Sequence, residues 1–360
     1  MKYIFGVLLL LHGLIHVMGY IKAFKINEVA QLSLPISKHM GLLFLLTAVL
    51  FTMAFILFLM HRSVWIIVVV IAIIISQLLI ITYWQDAKFG TIANGIILIV
   101  ALLSFASWNF KNSFKNDSAK AYKKAPQIEH VITEEDLDHL PSIVKKYLHY
   151  VGVIGKPSIT NFTLTFHGEM RGKEQAWFPF TAEQHSFISS PTRLFYMDAK
   201  IKRLPTAGYH LYADRTARMQ IKLLSLFSVV DIKSPELYTS ETVTFFNDLC
   251  LFAPGALIDD RITWEVIDAT SVKATFKNKQ TSISAILYFN TQGQLINFES
   301  EDRYDINAMR TYRFSTPITN YKNFNGFRLP SYGEAIWHYP DGEFVYGKFN
   351  VTQLEYNAQP

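Results

Sequence analysis

Four residues in the carboxyl-terminal two thirds of the chain are of types that do acid–base work: His167, Arg171, Glu183 and Asp198. A histidine near a carboxylate can move a proton close to neutral pH, and an arginine can hold an oxyanion. His167, Glu169 and Arg171 alternate, so on a strand they share one face. Asp214, Arg215, Arg218, Asp231, Arg303 and His338 complete the polar residues worth placing. None of them sits in a catalytic signature. The chain has no GxSxG elbow, HExxH helix, Walker loop or GxGxxG turn. A solvated face or structural ion pairs is the simpler account of these residues, and the sequence assigns no reaction.

A second set of polar residues lies where none would be expected. His12 and His16 are one turn apart in an apolar run, and Ser76 and Gln77 lie deep in another. Ionisable or polar groups within a span invite a functional reading: a paired-histidine site or a proton path. The alternative is hydrogen bonding between helices, with Gly13 and Gly19 allowing close approach. Two histidines one turn apart do not specify a metal, and no metal site or cofactor is expected.

The elements that carry these residues fall into two classes. Half of the 360 residues are hydrophobic, and nearly all long apolar runs lie before residue 110. A span needs roughly 20 apolar residues. Residues 3–21, 40–60, 63–84 and 92–110 satisfy or nearly satisfy this, and Trp84 and Trp108 stand where interfacial anchors belong. Residues 1–110 therefore read as a four-span transmembrane region. Residues 111–132 read as a basic juxtamembrane linker and 133–360 as a soluble domain. Up to residue 124 there are eleven Lys or Arg against three acids; beyond it, 23 against 26. The basic excess thus belongs to the membrane region and its flank, which gives no support to nucleic-acid binding. With four spans, Lys2, Arg62, Lys111, Lys115, Lys120, Lys123 and Lys124 share one side, against Lys22, Lys25, Lys38 and Lys88 on the other. The positive-inside rule then places both termini and the soluble domain in the cytoplasm. A lone cysteine, Cys250, excludes an intramolecular disulfide.

After residue 132 a helix is expected from Thr133, divided by Pro141 and ended by Gly152. From residue 159 the period becomes two: Phe162, Leu164 and Phe166, then Phe195, Met197 and Ala199, then Met219, Ile221 and Leu223 alternate with polar residues. Ten to twelve antiparallel strands result, interrupted by one helix over 235–252. The fold class is α+β: a large curled antiparallel sheet, half-barrel or barrel-like, with two or three helices. So many strands curl, split or close. Too few helices exist to cover the aromatic-rich face, so either a packed core or a ligand cavity must fill it. Trp177, Phe180, Phe195, Met197, Met219, Trp264 and Trp337 are the candidate lining residues.

LPSIVKKYLHYVGVIGKP (140–157), HGEMRG (167–172), WFPFTAEQ (177–184), DRTARMQIKLLS (214–225), WEVID (264–268), Arg303-Tyr304 and TPI (316–318) resemble an uncharacterised bacterial family built on a domain of unknown function. LHGLIHVMGY (11–20) and DAKFGTIAN (86–94) resemble the amino-terminal half of its longer members. The resemblance implies shared architecture and no particular activity. At the level of strand count and apolar richness, the sheet is also similar to lipoprotein-carrier half-barrels, which hold acyl chains; fold does not fix function.

The leading expectation is a membrane-anchored binding protein for a lipid or other hydrophobic small molecule. Membrane lipids are its expected partners, and its oligomeric state is left open. The alternatives are an enzyme acting on a membrane-derived substrate, and an envelope assembly or sensing protein that works through its helices.

Overall fold

The computed structural model describes residues 2–126 and 130–359. Residues 1, 127–129 and 360, which belong to the expected transmembrane region, linker and soluble domain, lie outside that description. The chain forms two compact units, Met1–Phe110 and Lys111–Pro360.

The first unit comprises α1 (Lys2–Ala23), α2 (Lys38–Leu59), α3 (Trp65–Thr82), the single turn α4 (Trp84–Ala87) and the start of α5 (Gly90–Lys124). Among the described residues, α1, α2, α3 and α5 are long and apolar enough to cross a membrane. Ile15, Leu46, Ile74 and Ile99 leave their apolar side chains on the outside of the bundle. Such a surface suits hydrocarbon and not water. Gly13 and Gly19 act as expected. A Cβ on Gly19 would come within 2.4 Å of the Phe44 ring, and one on Gly13 within 2.8 Å of Phe51 Cβ, so both glycines bring α1 close to α2.

In the second unit, α6 (Ser142–Val151) follows a short 3-10 turn, Glu135–Leu137. Pro141 divides the two, and Gly152 ends α6 in the left-handed region at φ 84°. The strands are β1 (Asn161–Met170), β2 (Phe178–Phe187), β3 (Thr192–Ile201), β4 (Leu204–Ala213), β5 (Thr216–Leu223) and β6 (Phe227–Ile232). After α7 (Pro235–Phe252) come β7 (Ile262–Val266), β8 (Ser271–Asn278), β9 (Thr281–Phe289), β10 (Leu295–Ser300), β11 (Tyr304–Asp305), β12 (Arg310–Thr311), β13 (Arg313–Phe324), β14 (Phe327–Tyr339) and β15 (Gly342–Tyr356). Thirteen of them form one antiparallel sheet in the order β6-β5-β4-β3-β2-β1-β15-β14-β13-β10-β9-β8-β7, while β11 and β12 make a separate hairpin. Two meanders are therefore joined where β1 pairs with β15. β6 and β7 remain as edges, so the sheet curls without closing into a barrel.

α7 connects those two edges. Ser234 caps it by accepting from Leu237 N–H at 3.1 Å, and Pro235 fits its first turn. It touches β4 and β5 on one arm of the sheet and β9, β10 and β14 on the other, so the sheet wraps around it. The sequence gives α7 one apolar face, but the fold buries nearly its whole circumference, including Ser240, Glu241, Thr242, Asn247 and Asp248. Phe245, Phe246, Leu249 and Cys250 join α6 and the inward residues of the sheet in the main core.

Residues 111–124, expected as an irregular tether, continue α5 as helix and pack on the outer face of β2–β4. Phe114 is fully buried, with ring centroids 5.0 Å from His185, 5.7 Å from Tyr196 and 5.8 Å from Tyr209. Tyr122 meets Phe187 at 4.9 Å, and Tyr209 donates a hydrogen bond of 3.0 Å to Asp117 Oδ2. A buried Phe replaced by Ala costs about 3–5 kcal/mol. Phe114→Ala therefore lowers the thermal unfolding midpoint of the full chain by several degrees, while Lys120→Ala on the exposed side leaves it unchanged. Tryptophan fluorescence during a temperature ramp reads both, and a Phe114→Ala protein melting like the parent would remove this packing contact from the fold.

Candidate functional site

Alternation along β3 sends Arg193, Phe195 and Met197 to the concave face and Tyr196 and Asp198 to the other. β5 does the same with Met219 and Ile221, and β14 with Trp337. α7 does not fill the space these residues face. A cavity of about 380 Å³ remains, walled by Phe166, Phe195, Met197, Met219, Trp337 and Phe349 from the sheet and by Leu251 and Phe252 from α7. Tyr304, Asp305, Ile306 and Asn307 of the β11–β12 hairpin line it as well. The volume falls in the range of about 300–1,000 Å³ that holds small ligands, and the wall is mostly apolar with a few polar groups, as such sites are.

The polar groups form a buried ionic network. Arg193 donates from Nε to Asp248 Oδ2 at 2.7 Å and from Nη1 to Glu241 Oε2 at 3.2 Å. Gln184 Nε2 donates to the same Asp248 oxygen at 2.8 Å, and His210 Nδ1 lies 3.0 Å from Glu241 Oε1. Burial pushes both carboxyl groups up, and their neighbours decide the outcome. For Glu241 the His210 hydrogen bond and the Arg193 charge prevail and hold it down at about 2. For Asp248 burial prevails over Arg193 and Gln184, and its pKa is raised above the usual carboxylate value. Burial opposes the charge of Arg193 too, but the two carboxylates outweigh it and raise its pKa. Arg303 also lines the cavity. Its guanidinium carbon lies 3.9 Å from the Phe314 ring centroid and 4.9 Å from that of Trp337, and Nη1 donates to Tyr346 Oη at 2.8 Å.

Of the candidate lining residues, Phe195, Met197, Met219 and Trp337 face the cavity. Trp177, Phe180 and Trp264 lie elsewhere. Phe180 sits one layer behind, edge-on to Phe349 at 5.3 Å. Trp177 precedes β2 one residue out of phase with Phe178, beneath the Arg171 guanidinium at 4.5 Å and the Lys348 ammonium at 4.7 Å. Trp264 packs against the main core from the edge strand β7.

None of the four acid–base candidates lines the cavity. Glu183 and Asp198 meet on the outer face, 3.8 and 4.0 Å from the Lys111 ammonium. The hydrogen bond with His185 leads in holding Glu183 below its usual value. His167 is exposed on β1, and Arg171 donates from Nε to Val345 O at 2.9 Å. Thus the outer face carries ion pairs and solvated groups, and the concave face carries the buried charges.

Among the apolar helices, His12, His16 and Gln77 belong to one chain of hydrogen bonds. His16 Nδ1 donates to His12 O at 2.8 Å, and Ser76 Oγ donates to His16 Nε2 at 3.0 Å. His12 Nε2 donates to Asn94 Oδ1 at 2.9 Å. Asn94 Nδ2 reaches Ser76 Oγ at 3.0 Å and Gln77 Oε1 at 3.1 Å, and Gln77 Nε2 reaches Thr91 Oγ1 at 3.1 Å. Asn94 is the hub; sequence reading did not single it out, although it lies in the apolar run 92–110 that α5, beginning at Gly90, carries. No group of three or more His, Cys, Asp or Glu placed to hold a metal occurs among the described residues.

The Glu241 shift fixes a pH dependence. A folded-state pKa of about 2, below the ordinary value of about 4.3, contributes stability that is present above pH ~4.3 and lost as pH falls toward 2. The parent protein is therefore more stable than Glu241→Gln at pH 7, and its advantage shrinks through the acid limb. Urea unfolding midpoints between pH 7 and 2.5 check this; a gap that stays constant would show that Glu241 is not ionised in the folded network.

No curated protein matches the chain. A solved structure, a LolA superfamily protein from Nitrosomonas europaea, is similar at 12% identity with a TM-score of 0.35, covering 61% of this chain and 94% of that chain. Residues 130–349 match the family of unknown function DUF6544, and the chain belongs to that family.

Proposed function

We propose that this is a membrane-spanning protein whose β-rich domain binds a lipid or another hydrophobic small molecule. The observation that carries this reading is the cavity of about 380 Å³ left between α7 and the curled sheet, walled by Phe, Met and Trp side chains. Protein interiors pack as densely as organic crystals and seldom leave room for more than a water. A space this large and apolar on most sides suits a greasy molecule that would otherwise be exposed to water. The four apolar helices support a membrane location, where such molecules are found. The four acid–base candidates named from the sequence lie outside the cavity, and the His210, Glu241, Asp248 and Arg193 side chains on its wall are engaged with one another, so the binding reading is preferred to an enzymatic one.

Full-length protein purified in mild detergent and examined by native mass spectrometry should carry a bound adduct of lipid-like mass. Met219→Trp, which puts an indole into the cavity, should lose the adduct without losing the fold. Bare parent protein that also fails to take up a neutral hydrophobic dye would overturn the reading.

The same proposal places both termini and the β-rich domain in the cytoplasm, because Arg62 and the lysines from Lys111 to Lys124 outnumber Lys22, Lys25, Lys38 and Lys88. In a bacterial host, a carboxyl-terminal fluorescent-protein fusion should glow and an alkaline phosphatase fusion should be inactive. The reverse pattern would put the domain on the far side.

A further inference from the structure

Arg193 and Arg303 both line the cavity, and they differ in one respect. Arg193 lies between two carboxylates. Among the described residues, Arg303 has no carboxylate within ion-pair distance. Its surroundings are aromatic: Phe314, Trp337 and Tyr346 box the guanidinium, and the Tyr346 hydroxyl takes one of its five N–H donors. Its Nε is buried without a hydrogen-bond partner. The acids on the cavity wall are already engaged. Asp248 serves Arg193, Glu241 serves Arg193 and His210 and feels the Arg303 charge only from beyond ion-pair distance, Asp305 accepts from Tyr339 at 2.8 Å and from its own turn, and Glu334 accepts from Tyr332 at 2.6 Å.

A half-buried cation in an apolar wall is costly unless something completes its hydrogen bonds. The guanidinium fork matches a carboxylate or phosphate, and stacking on aromatic rings holds it in one orientation. We propose that Arg303 seats the anionic head of the ligand: the cavity takes an acyl amphiphile, its chain against Phe195, Met197 and Met219 and its carboxylate or phosphate on Arg303. This rests on the hydrophobic-ligand reading above and specifies the chemistry of the ligand.

The test uses the full chain in amphipol at pH 8, with the neutral dye N-phenyl-1-naphthylamine displaced by palmitate, hexadecyl phosphate or hexadecanol. Met219→Trp, by abolishing dye binding, shows that the dye reports the cavity. In the parent, at least one of the two anions should displace the dye at a concentration about 10- to 100-fold lower than hexadecanol does, the scale of a charge-assisted hydrogen bond; which anion does so identifies the head. Arg303→Met should erase that preference and leave hexadecanol unchanged, and Arg303→Lys should keep part of it. Equal displacement by acid, phosphate and alcohol in the parent, or an Arg303→Met protein weakened equally toward all three, overturns the role of Arg303 while the cavity reading stands. Failure of the dye and every competitor to bind overturns both.

Discussion

A wide sheet and one long helix, α7, with the short α6 beside it in the same core, set the terms for everything else in the β-rich domain. Thirteen strands at about 4.8 Å apart would span nearly 60 Å if flat, whereas a helix with its side chains is only about 10–12 Å across. One long helix and the ten-residue α6 cannot cover the apolar face of such a sheet unless the sheet bends to meet them. The sheet does bend, so far that α7 touches strands from both meanders. Space that neither bending nor helix removes becomes the cavity. It is a consequence of the ratio of sheet to helix, and its apolar wall is the part of the sheet face that α7 does not reach.

Wrapping α7 has a second consequence. A helix enclosed on nearly every side has no solvent face, so its polar residues must find partners inside. Glu241 and Asp248 find Arg193 on β3, Thr242 meets the Tyr212 hydroxyl at 3.1 Å on β4, and Asn247 donates to Thr316 at 2.9 Å on β13. These contacts are directional where the packing of Phe245 and Phe246 is not. They pin the rotation and axial position of α7 against strands on both arms. A buried ion pair adds little net stability compared with well-packed apolar groups, but losing one partner strands the other. The network therefore acts mainly on which arrangement forms.

The sequence made the strands and α7 legible for physical reasons. Alternation such as Phe195-Tyr196-Met197-Asp198 can only be a two-faced strand, and Ser234-Pro235 with Pro254-Gly255 brackets a helix. Residues 111–124 were less legible because Phe114, Ser118 and Tyr122 form a stripe only one side chain wide among lysines; tertiary contact with His185, Tyr196 and Tyr209 supplies the stability that local pattern lacks. Phe195, Met197, Met219 and Trp337 could be read as inward-facing, but cavity could not be told from core, because a packed core and a lined space require the same inward alternation. Glu241 and Asp248 did leave a trace. They stand seven residues apart, two turns on one face, in a helix otherwise rich in Phe and Leu. That spacing announces acids that face something specific. Arg193, the partner, has no local signature, since its role comes from the pairing of β3 with β2 and β4.

Both units obey one rule about buried polar atoms, and they obey it differently. Among the apolar helices, His12, His16, Ser76, Gln77 and Asn94 hydrogen-bond to one another and to Thr91, and no described side chain of that unit leaves a buried nitrogen or oxygen without a partner. A set linked in this way ties helices together. The β-rich domain is different: Asn247 Oδ1 and Arg303 Nε are buried on the cavity wall without partners, as are side-chain atoms of Asn161, Gln184, His185, Trp264 and Asn297 away from it. Water or a ligand has to meet that demand, and only the second also fills the apolar space beside it. The distribution of unmet hydrogen bonds therefore favours the curled sheet over the helices as the seat of recognition, and it does so independently of the cavity's size.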